Sequence, residues 1–406
     1  MLVSVCFTNF GPYHLARLRA LGAALAARGD RLLAYELADA EERYPWDRQA
    51  GAEPFAWTTL FPGRTMESIR PADCREMMAR ALRHDRPDVV GIVGYARPES
   101  MAALRWAGRA GVPTVLLSES QEIDHPRVWW KELAKRLRVE RFDAGLVGGP
   151  RHRDYLIKLG LPADRIALGY NAVDNAAFAA RAAAARARDD RPAGLPGRPY
   201  FIAVNRFVPE KNLVTLVEAF ASYRQEAKAA NAWDLVLIGG GPGAGAVDAA
   251  VAASGLGGSI HRPGFLQGEE LARWLAGAGA FVHPSLMEPW GLVVNEAAAT
   301  GLPLLVSDRA GCVETLVPEP AGTTGRRFDP HDPAAITAAL AWMATLPDPE
   351  RMAMGARAAA VVGEWGPERF AAGMLAAVDL ACAARPRPDR YRSARAAATI
   401  AGGGSR

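Results

Sequence analysis

The sequence predicts an α/β protein of two Rossmann-like domains, each a doubly wound parallel sheet, that face a central cleft. Three observations support this prediction. Short apolar runs alternate with helical segments, as expected for parallel strands covered on both faces. An Ala/Arg-rich stretch at 176–199 interrupts the alternation and ends in prolines and glycines. A second alternating series begins at residue 200.

The first series predicts six strands, which are Leu2–Phe7, Leu32–Tyr35, Val89–Val93, Thr114–Leu117, Ala144–Val147 and Ile166–Leu168. The second predicts Tyr200–Val204, Leu235–Ile238, Ala280–His283 and Leu304–Val306, with a further candidate at Ile260. Helical patterns separate these strands. The sequence therefore predicts a first domain at 1–175 and a second domain at 200–365. The stretch between them, 176–199, has a helical start and a linker-like end. A final helix at 366–385 can cross back to the first domain, and a disordered tail follows at 386–406.

Composition excludes several classes of protein. The chain has 406 residues, which is too long for one ordinary domain, and its formal net charge of +4 does not argue for a nucleic-acid partner. Its four cysteines form no CxxC pair and its seven histidines form no ligand spacing, so no metal site is expected. No signal-peptide pattern or apolar run of spanning length is present. We expect a reduced, cytoplasmic protein without a cofactor.

The most informative segment reads HPSLMEPWGLVVNEAAATGLPLLVSD and predicts a strand end, a helix and another strand. The amides of Gly291, Leu292 and Val293 at the helix start could hold a phosphate. Glu296 could accept hydrogen bonds from a diol such as a ribose, and Glu288 could face a sugar or a developing positive charge. On spacing alone, a solvated helix position for Glu296 and a simple cap for Glu288 are favoured, because chance Glu pairs are common.

Two cations follow the first strand of the second domain. Arg206 and Lys211 flank Pro209 before a helix begins, at the carboxyl edge of the predicted sheet. Two cations in such a loop could clamp a diphosphate. The alternative is a solvated loop in which Glu210 and Glu218 are the partners of the cations.

A glycine-rich turn, VLIGGGPGAGAVDAAV, follows the next predicted strand and opens a helix. It resembles a dinucleotide-binding turn, but the sequence Ile260-His261-Arg262 stands where an acidic residue would hold a ribose. Two interpretations remain open, a tight turn near a nucleotide and a packing role. The chain contains no GxxxxGK[ST] motif, which excludes a P-loop ATPase.

Taken together, these segments resemble the retaining glycosyltransferases of family 4, whose architecture is called GT-B. EPWGLVVNEAAATGLPLL is similar to the family's E-x7-E signature, NRFVPEKN to its Arg…Lys phosphate clamp, and NAVDNAAF to its N-G-V-D motif. The resemblance covers the second domain almost completely and is weaker across 1–170. It implies transfer of a sugar from a nucleoside diphosphate to a hydroxyl of a glycan, lipid-linked or small-molecule acceptor, with retained configuration and without a metal.

The resemblance also implies a donor site in the second domain. Arg206 and Lys211 would bind the diphosphate, and Glu296 would hold the ribose hydroxyls. Glu288 would contact the donor sugar, with the 291–293 amides on its phosphate. Backbone near Gly264 and Phe265 would meet the base. The residues expected to act in catalysis are Arg206, Lys211 and Glu288.

In the first domain the resemblance gives weaker assignments. The first strand-to-helix turn, NFGPYHLARL, is not a double-glycine loop, although Gly11 could still let the backbone approach the donor phosphate. His14 could contribute to the same site. Glu119 follows the strand after which family members often carry a histidine, and it could substitute for that histidine.

The segment RVWWKELAKRLRVERF, at 127–142, pairs two tryptophans with six cations. Such an amphipathic helix could lie peripherally on an anionic membrane, at its inner face, and meet a lipid-linked acceptor. A packed helix with a solvated basic face is the favoured interpretation, because such faces are ordinary.

Three rival functions remain open at this stage. A nucleotide-sugar epimerase of the same GT-B shape would need an acid/base pair and no acceptor. A non-catalytic two-lobed binder of a solute or sugar nucleotide would show no turnover. An inactive family member would only scaffold a pathway.

Overall fold

The computed structural model of the chain describes residues 1–41, 53–188, 192, 194–227 and 232–385. The first half forms a seven-stranded sheet in the order β3-β2-β1-β4-β5-β6-β7. Every strand pair in it is parallel. The strands are β1 (Leu2–Phe7), β2 (Arg31–Ala40), β3 (Ala56–Thr65), β4 (Val89–Val93), β5 (Thr114–Ser118), β6 (Ala144–Val147) and β7 (Ile166–Leu168).

The second half forms a six-stranded parallel sheet in the order β10-β9-β8-β11-β12-β13. Its strands are β8 (Tyr200–Val204), β9 (Asp234–Ile238), β10 (Ile260–Gly264), β11 (Ala280–His283), β12 (Leu304–Ser307) and β13 (Gly325–Phe328). In each sheet the order reverses beside the first strand, and such a switch point opens a crevice at the carboxyl edge. The prediction of two doubly wound parallel sheets is confirmed.

Helices cover both faces of both sheets. Those connecting the first sheet are α1 (Pro12–Ala27), α2 (Pro71–Asp85), α3 (Pro98–Ala110), α4 (Trp129–Val139) and α5 (Pro150–Lys158). The remainder are α6 (Asn175–Ala187), α7 (Leu213–Glu226), α8 (Ala244–Ser254), α9 (Gly268–Ala276), α10 (Leu292–Ala299), α11 (Val313–Leu316), α12 (Pro333–Thr345), α13 (Asp348–Gly363) and α14 (Pro367–Ala384). Each sheet therefore separates two apolar cores, one on each face, which explains the continuous apolar strands. No helix among the described residues has the length and apolar character needed to cross a bilayer.

Two strands have no counterpart in the sequence prediction, and both lie at sheet edges. Strand β3 contains Pro62 and Gly63, which are poor strand formers but are tolerated at an edge, where one side of the backbone makes no ladder bonds. Strand β13 has the sequence GRRF, in which two arginines hide the apolar pattern. The remaining predicted strands match to within a few residues, although β2 extends to Ala40.

The predicted interdomain stretch at 176–199 begins as a helix, as expected. Helix α6 runs along the second domain and packs against α9, α10 and α13. The second half of that stretch lies partly outside the described residues.

The final helix crosses back onto the first domain. Helix α14 packs against α1 and against β5, β6 and β7, and it places Phe370, Met374 and Val378 in the core of the first sheet. The chain therefore passes between the two domains twice. The tail predicted to be disordered, 386–406, lies outside the described residues.

Candidate functional site

The glycine-rich turn after β9 supports the loop that carries Arg206. At Gly239 the backbone has φ +130°, and a Cβ atom there would collide with the carbonyl oxygen of Asn205. The amide of Phe207 donates to the carbonyl of Gly240 at 2.7 Å, and the amide of Gly243 donates back to the carbonyl of Phe207 at 2.7 Å. The glycines therefore have a packing role, because they admit the backbone of the Arg206 loop, and a tight turn near a nucleotide stays a prediction.

Lys211 ends a single 3-10 turn, Pro209–Lys211, which is tied to the loop before α10. The amide of Leu286 donates to the carbonyl of Glu210 at 2.9 Å. This link places the Lys211 ammonium against the carboxylate of Glu288, with which it forms an ion pair. Two segments more than seventy residues apart thus bring one cation to the start of α10.

Glu288 is buried and holds three partners through one carboxylate oxygen. His283 Nε2–H donates to Glu288 Oε2 at 2.8 Å, and the hydroxyl of Ser285 lies 3.5 Å from the same atom, which also accepts from Lys211. Burial alone would raise the pKa of Glu288, but the Lys211 ammonium and the His283 hydrogen bond lower it to about 2. Burial in turn lowers the pKa of His283, so the ring is neutral and the carboxylate is ionised at neutral pH.

Helix α10 begins at Leu292, and the residue before it, Gly291, provides no side-chain cap. The glycine has φ +100°, and a Cβ atom would lie 3.3 Å from Glu288 Cγ, so the helix start and the carboxylate are neighbours. Leu292 and Val293 follow as partly buried residues. The first amides of a helix have no acceptor within the helix and carry its positive dipole end, so this uncapped start can receive an anion.

Arg206 lies in the same loop as Lys211. Its guanidinium is partly exposed and stands 3.7 Å from the carboxylate of Glu210. Both side-chain polar atoms of the neighbouring Asn205 are buried and have no hydrogen-bond partner among the described residues. The loop therefore combines a paired guanidinium with an amide that has unused hydrogen-bonding capacity.

Glu296 is buried in α10, and its partner comes from the other domain. The hydroxyl of Tyr13, in the first turn of α1, donates to Glu296 Oε1. Burial raises the pKa of Glu296 to about 7, although the Tyr13 hydrogen bond opposes this shift. The solvated position that spacing alone favours for Glu296 is wrong, because α10 is enclosed by the second domain and its carboxylate faces α1. The simple cap favoured for Glu288 is also wrong, since its carboxylate binds Lys211 and His283.

Two of the first-domain candidates, His14 and Glu119, belong to a buried polar cluster. His14 lies one turn before Arg17 on α1, and burial together with the Arg17 charge lowers the pKa of His14 to about 3. Glu119 accepts a hydrogen bond from Asn171 Nδ2, and its burial raises its pKa, which Arg17 opposes. Gly11 caps α1 with φ −72°, a value open to any residue. The cluster of His14, Arg17, Glu119 and Asn171 thus joins three distant segments.

Several atoms of this cluster are buried without a partner in the described part of the chain. They are His14 Nδ1, Arg17 Nη2 and Asn171 Oδ1. The guanidinium of Arg17 nevertheless donates through Nε to the carbonyl of Ala172 at 3.0 Å. Unpaired buried polar atoms are costly, so their concentration marks a place where a ligand can complete the hydrogen bonding.

Side chains of the first domain also reach the loop that contains Glu288. Gln121 Nε2 donates to the carbonyl oxygens of Glu288 and Arg309 at 2.9 and 3.1 Å. The amide of Gly149 donates to His152 Nδ1 at 3.2 Å, and His152 Nε2–H donates to the carbonyl of Pro289 at 2.6 Å. These contacts hold the Glu288 loop between the two domains.

The residues proposed for the base lie at the neighbouring strand end. Gly264 has φ +92° with open space around it, and its carbonyl accepts from the amide of Gly239 at 2.8 Å. Phe265 is more than half exposed. Among the described residues, no group of three or more His, Cys, Asp or Glu side chains has the arrangement of a metal site.

Sequence reasoning did not identify five of the residues that shape this site. They are Tyr13, Arg17, Gln121, His152 and His283. His283 stands five residues before Glu288, and its position at the end of strand β11 was the available signal. The other four act through contacts between segments far apart in sequence, which no local pattern reveals.

Comparisons with known proteins match both halves of the chain. A family model described as Glycosyl transferases group 1 matches residues 186–361, and one described as Glycosyltransferase Family 4 matches residues 16–177. Probable sucrose-phosphate synthase 5 of Oryza sativa subsp. japonica is 35% identical over 161 residues, which cover 36% of this chain and 15% of the relative. Sulfoquinovosyl transferase SQD2 of Arabidopsis thaliana is 33% identical over 181 residues, 44% of this chain and 33% of the relative. The chain thus matches a third or less of the length of these relatives.

A solved structure supports the fold over the whole chain. The sucrose-phosphate synthase from Thermosynechococcus elongatus superposes with a TM-score of 0.72 and 20% identity, covering 98% of this chain and all of that structure. The two family models occupy the two domains, and Arg206, Lys211, Glu288 and Glu296 all fall within the match to Glycosyl transferases group 1. The chain therefore belongs to the family-4 glycosyltransferases of GT-B architecture.

Proposed function

We propose that this chain transfers a sugar from a nucleoside-diphosphate sugar to a hydroxyl of a glycan, lipid-linked or small-molecule acceptor, with retention of the anomeric configuration. The observation that carries the proposal is the pairing of Lys211 with Glu288 beside the uncapped start of α10. Two independent sources of positive charge, an ammonium and a helix dipole, meet at one point of the carboxyl edge.

Charge develops on the diphosphate as the bond to the sugar breaks. Arg206, Lys211 and the amides at 291–293 would stabilise that charge, and a site held in place before the reaction stabilises a transition state best. Glu288 is ionised and binds the Lys211 ammonium. We therefore assign it two roles, to position that cation and to contact the donor sugar. Gly11, at the start of α1, would let the backbone approach the same phosphate.

Glu296 is proposed to hold the ribose hydroxyls. A carboxylate accepts two hydrogen bonds from a vicinal diol, and in this structure the hydroxyl of Tyr13 supplies one such donor. Donor binding would replace that hydroxyl or add to it. The exposed ring of Phe265, beside Gly264, offers a surface on which the base can stack.

An acceptor hydroxyl oxygen bonds to the anomeric carbon while the carbon–oxygen bond to the diphosphate breaks on the same face. The hydroxyl proton passes to the departing phosphate oxygen, so charge and atoms balance. The polar cluster of His14, Arg17, Glu119 and Asn171 is proposed to orient the acceptor.

The test incubates the purified chain with a panel of nucleoside-diphosphate sugars, with and without acceptor extracts. We expect nucleoside diphosphate release that depends on acceptor, and an NMR coupling of the new anomeric proton that matches the donor configuration. Lys211→Ala should abolish product. Lys158→Ala, which removes an exposed lysine paired with Glu122, is the matched control and should retain activity.

Other outcomes of the same assay would assign a different function. An epimerised donor formed without acceptor would favour an epimerase. Tight binding of a nucleotide sugar without any product would favour a non-catalytic binder. A product whose anomeric configuration is opposite to that of the donor would contradict retention, but it would leave the proposed sugar transfer itself intact.

A further inference from the structure

Helix α4 turns its apolar side toward solvent. Trp129, Trp130, Leu133 and Leu137 are 78%, 54%, 49% and 59% exposed. Their spacing of one, four and eight positions places them on one side of the helix. In an ordinary surface helix such a stripe faces the core, so this arrangement is the reverse of the usual one.

The opposite side of the helix attaches to the domain mainly by polar contacts. The hydroxyl of Tyr155 donates to Glu132 at 2.7 Å, and Lys135 donates to the same carboxylate at 2.7 Å. Val139 is the one residue of the helix that is fully buried. The sequence favours a packed helix with a solvated basic face, and the structure differs from it in that the solvated side also carries the apolar stripe, while Glu132 and Lys135 face the domain.

Basic side chains border the apolar face. Lys131 and Arg138 lie along one flank, and Arg141 follows the end of the helix. The Lys131 ammonium lies 5.4 Å from the centre of the Trp130 ring. Six basic and two acidic residues fall between 127 and 142, so these sixteen residues carry a net +4, which equals the formal charge of all 406.

We propose that this face docks onto the surface of an anionic lipid bilayer. The α4 surface consists of Trp129, Trp130, Leu133 and Leu137 with the bordering Lys131, Arg138 and Arg141. Tryptophan and leucine can enter the boundary between headgroups and acyl chains, while lysine and arginine meet the lipid phosphates.

Charge argues against the other occupants of such a face. A second copy of the chain would bring two +4 segments together, and like charges across an interface cost several kcal/mol. A neutral apolar partner would leave the basic border unmatched. An anionic bilayer satisfies both parts of the surface at once.

The position of the α4 surface gives it a role that rests on the proposed function. The chain leaves β5 through Glu119 and Gln121 and enters α4 a few residues later. Arg127, just before the helix, donates to the carbonyl of Gln121 at 2.6 Å. Docking would therefore bring the acceptor side of the cleft to the membrane, where a lipid-linked acceptor is presented. The docking itself needs no catalytic activity.

The experiment sediments the full chain with vesicles of phosphatidylcholine, with or without about 30% phosphatidylglycerol. We expect binding to the anionic vesicles that weakens as salt is raised. The double variant Trp129→Ala/Trp130→Ala should bind at least ~10-fold more weakly, because it removes most of the inserted apolar area. Met352→Ala, which truncates a similarly exposed apolar side chain on α13, is the matched control and should bind like the wild type.

A second variant tests the basic border. Lys131→Gln/Arg138→Gln/Arg141→Gln should lose roughly fivefold in affinity per charge for anionic vesicles and little for neutral ones. Circular dichroism melts check that both variants fold.

Either of two results would overturn the proposal. The first is no sedimentation of the wild type with anionic vesicles. The second is equal binding by the tryptophan variant. A dimer in light scattering that the tryptophan variant dissolves, without vesicle binding, would assign the face to a second copy instead. Because no sugar substrate is present, these results are independent of the transfer assay.

Discussion

The two sides of the cleft differ in how their buried polar and charged side chains are paired. At the carboxyl edge of the second domain, the proposed donor edge, Lys211, Glu288 and His283 bind one another through short contacts and bring opposite charges together, while His283 Nδ1 and the Asn205 amide keep buried polar atoms without a partner among the described residues. In the first domain, His14, Arg17 and Asn171 each keep a buried polar atom without a partner among the described residues. The two sides therefore differ mainly in that the second domain pairs a cation with an anion, whereas the first domain gathers unpartnered polar atoms of three side chains in one cluster.

Under the proposed function, this difference matches what each side would bind. A diphosphate is a fixed, strongly charged group, and fixed charges and dipoles recognise it well. A hydroxyl acceptor is neutral, and a site built to hydrogen-bond it is incomplete until it arrives. Changes at the two sides should consequently have separable effects.

The largest effect is expected at the donor edge, from Glu288→Gln. The variant leaves the Lys211 ammonium without its ionised partner and removes an acceptor from His283. We expect kcat to fall by about 10²–10³, the usual loss when an organised electrostatic group is removed. Steady-state kinetics measure it, and Glu350→Gln, an exposed glutamate on α13, is the control. An unchanged kcat would show that the pairing has no role in turnover.

The next effect concerns the stability of the fold. Burial disfavours the ionised form of Glu296, whereas Glu288 on the same side of the cleft stays ionised. The Glu296 pKa of about 7 lies above its ordinary value of 4.5, so the folded state holds a proton that the unfolded state releases. Stability without donor should therefore fall as pH rises from 4.5 to 7, by at most about 3 kcal/mol.

Glu296→Gln should remove that pH dependence. Urea unfolding at pH 5 and pH 8 measures the free energy of unfolding in both proteins. The variant should match the wild type within about 1 kcal/mol at pH 5 and exceed it at pH 8. The same slope in both proteins would mean that another group titrates in this window.

The smallest effect is expected in the first domain, from Arg17→Met. The variant removes a buried guanidinium that donates to the Ala172 carbonyl and whose charge favours the ionised form of Glu119, so some stability should be lost, and urea unfolding checks that the variant still folds. If this side orients the acceptor, KM for the acceptor should rise by roughly tenfold, since one charged hydrogen bond is lost. Nucleotide binding should not change. Arg19→Met, on the exposed side of the same helix, is the control. A weakened nucleotide affinity in Arg17→Met would contradict the proposal that the second domain binds the nucleotide while the first domain orients the acceptor.

The comparison also explains which parts of the site the sequence could predict. Arg206, Lys211, Glu288 and Glu296 lie in two contiguous segments whose strand–loop–helix pattern is local, so their position at one sheet edge follows from the topology of parallel sheets. The cluster around Arg17 combines residues from distant segments, and only tertiary packing brings them together. The Tyr13–Glu296 bond joins residues 283 positions apart, which no periodicity can encode.

The fold shows the same division. Central strands read as continuous apolar runs and were predictable, whereas the edge strands β3 and β13 carry proline, glycine or arginine. Helix α4 is the sharpest case. Its periodicity predicts an apolar face correctly, but whether that face is covered depends on Glu132 and Tyr155, which anchor the opposite side to the domain.

The most direct test of the donor site is a thermal-shift panel with UDP, GDP, ADP and TDP and their sugar derivatives, applied to the wild type, Arg206→Ala, Lys211→Ala and Lys158→Ala. A nucleotide that binds only the folded chain at a hundredfold excess over its Kd adds about 2.7 kcal/mol of stability. We predict that at least one nucleotide raises Tm of the wild type and of Lys158→Ala, and that the shift disappears in Arg206→Ala and Lys211→Ala while both remain folded. An equal shift in all four proteins would contradict the proposed diphosphate clamp.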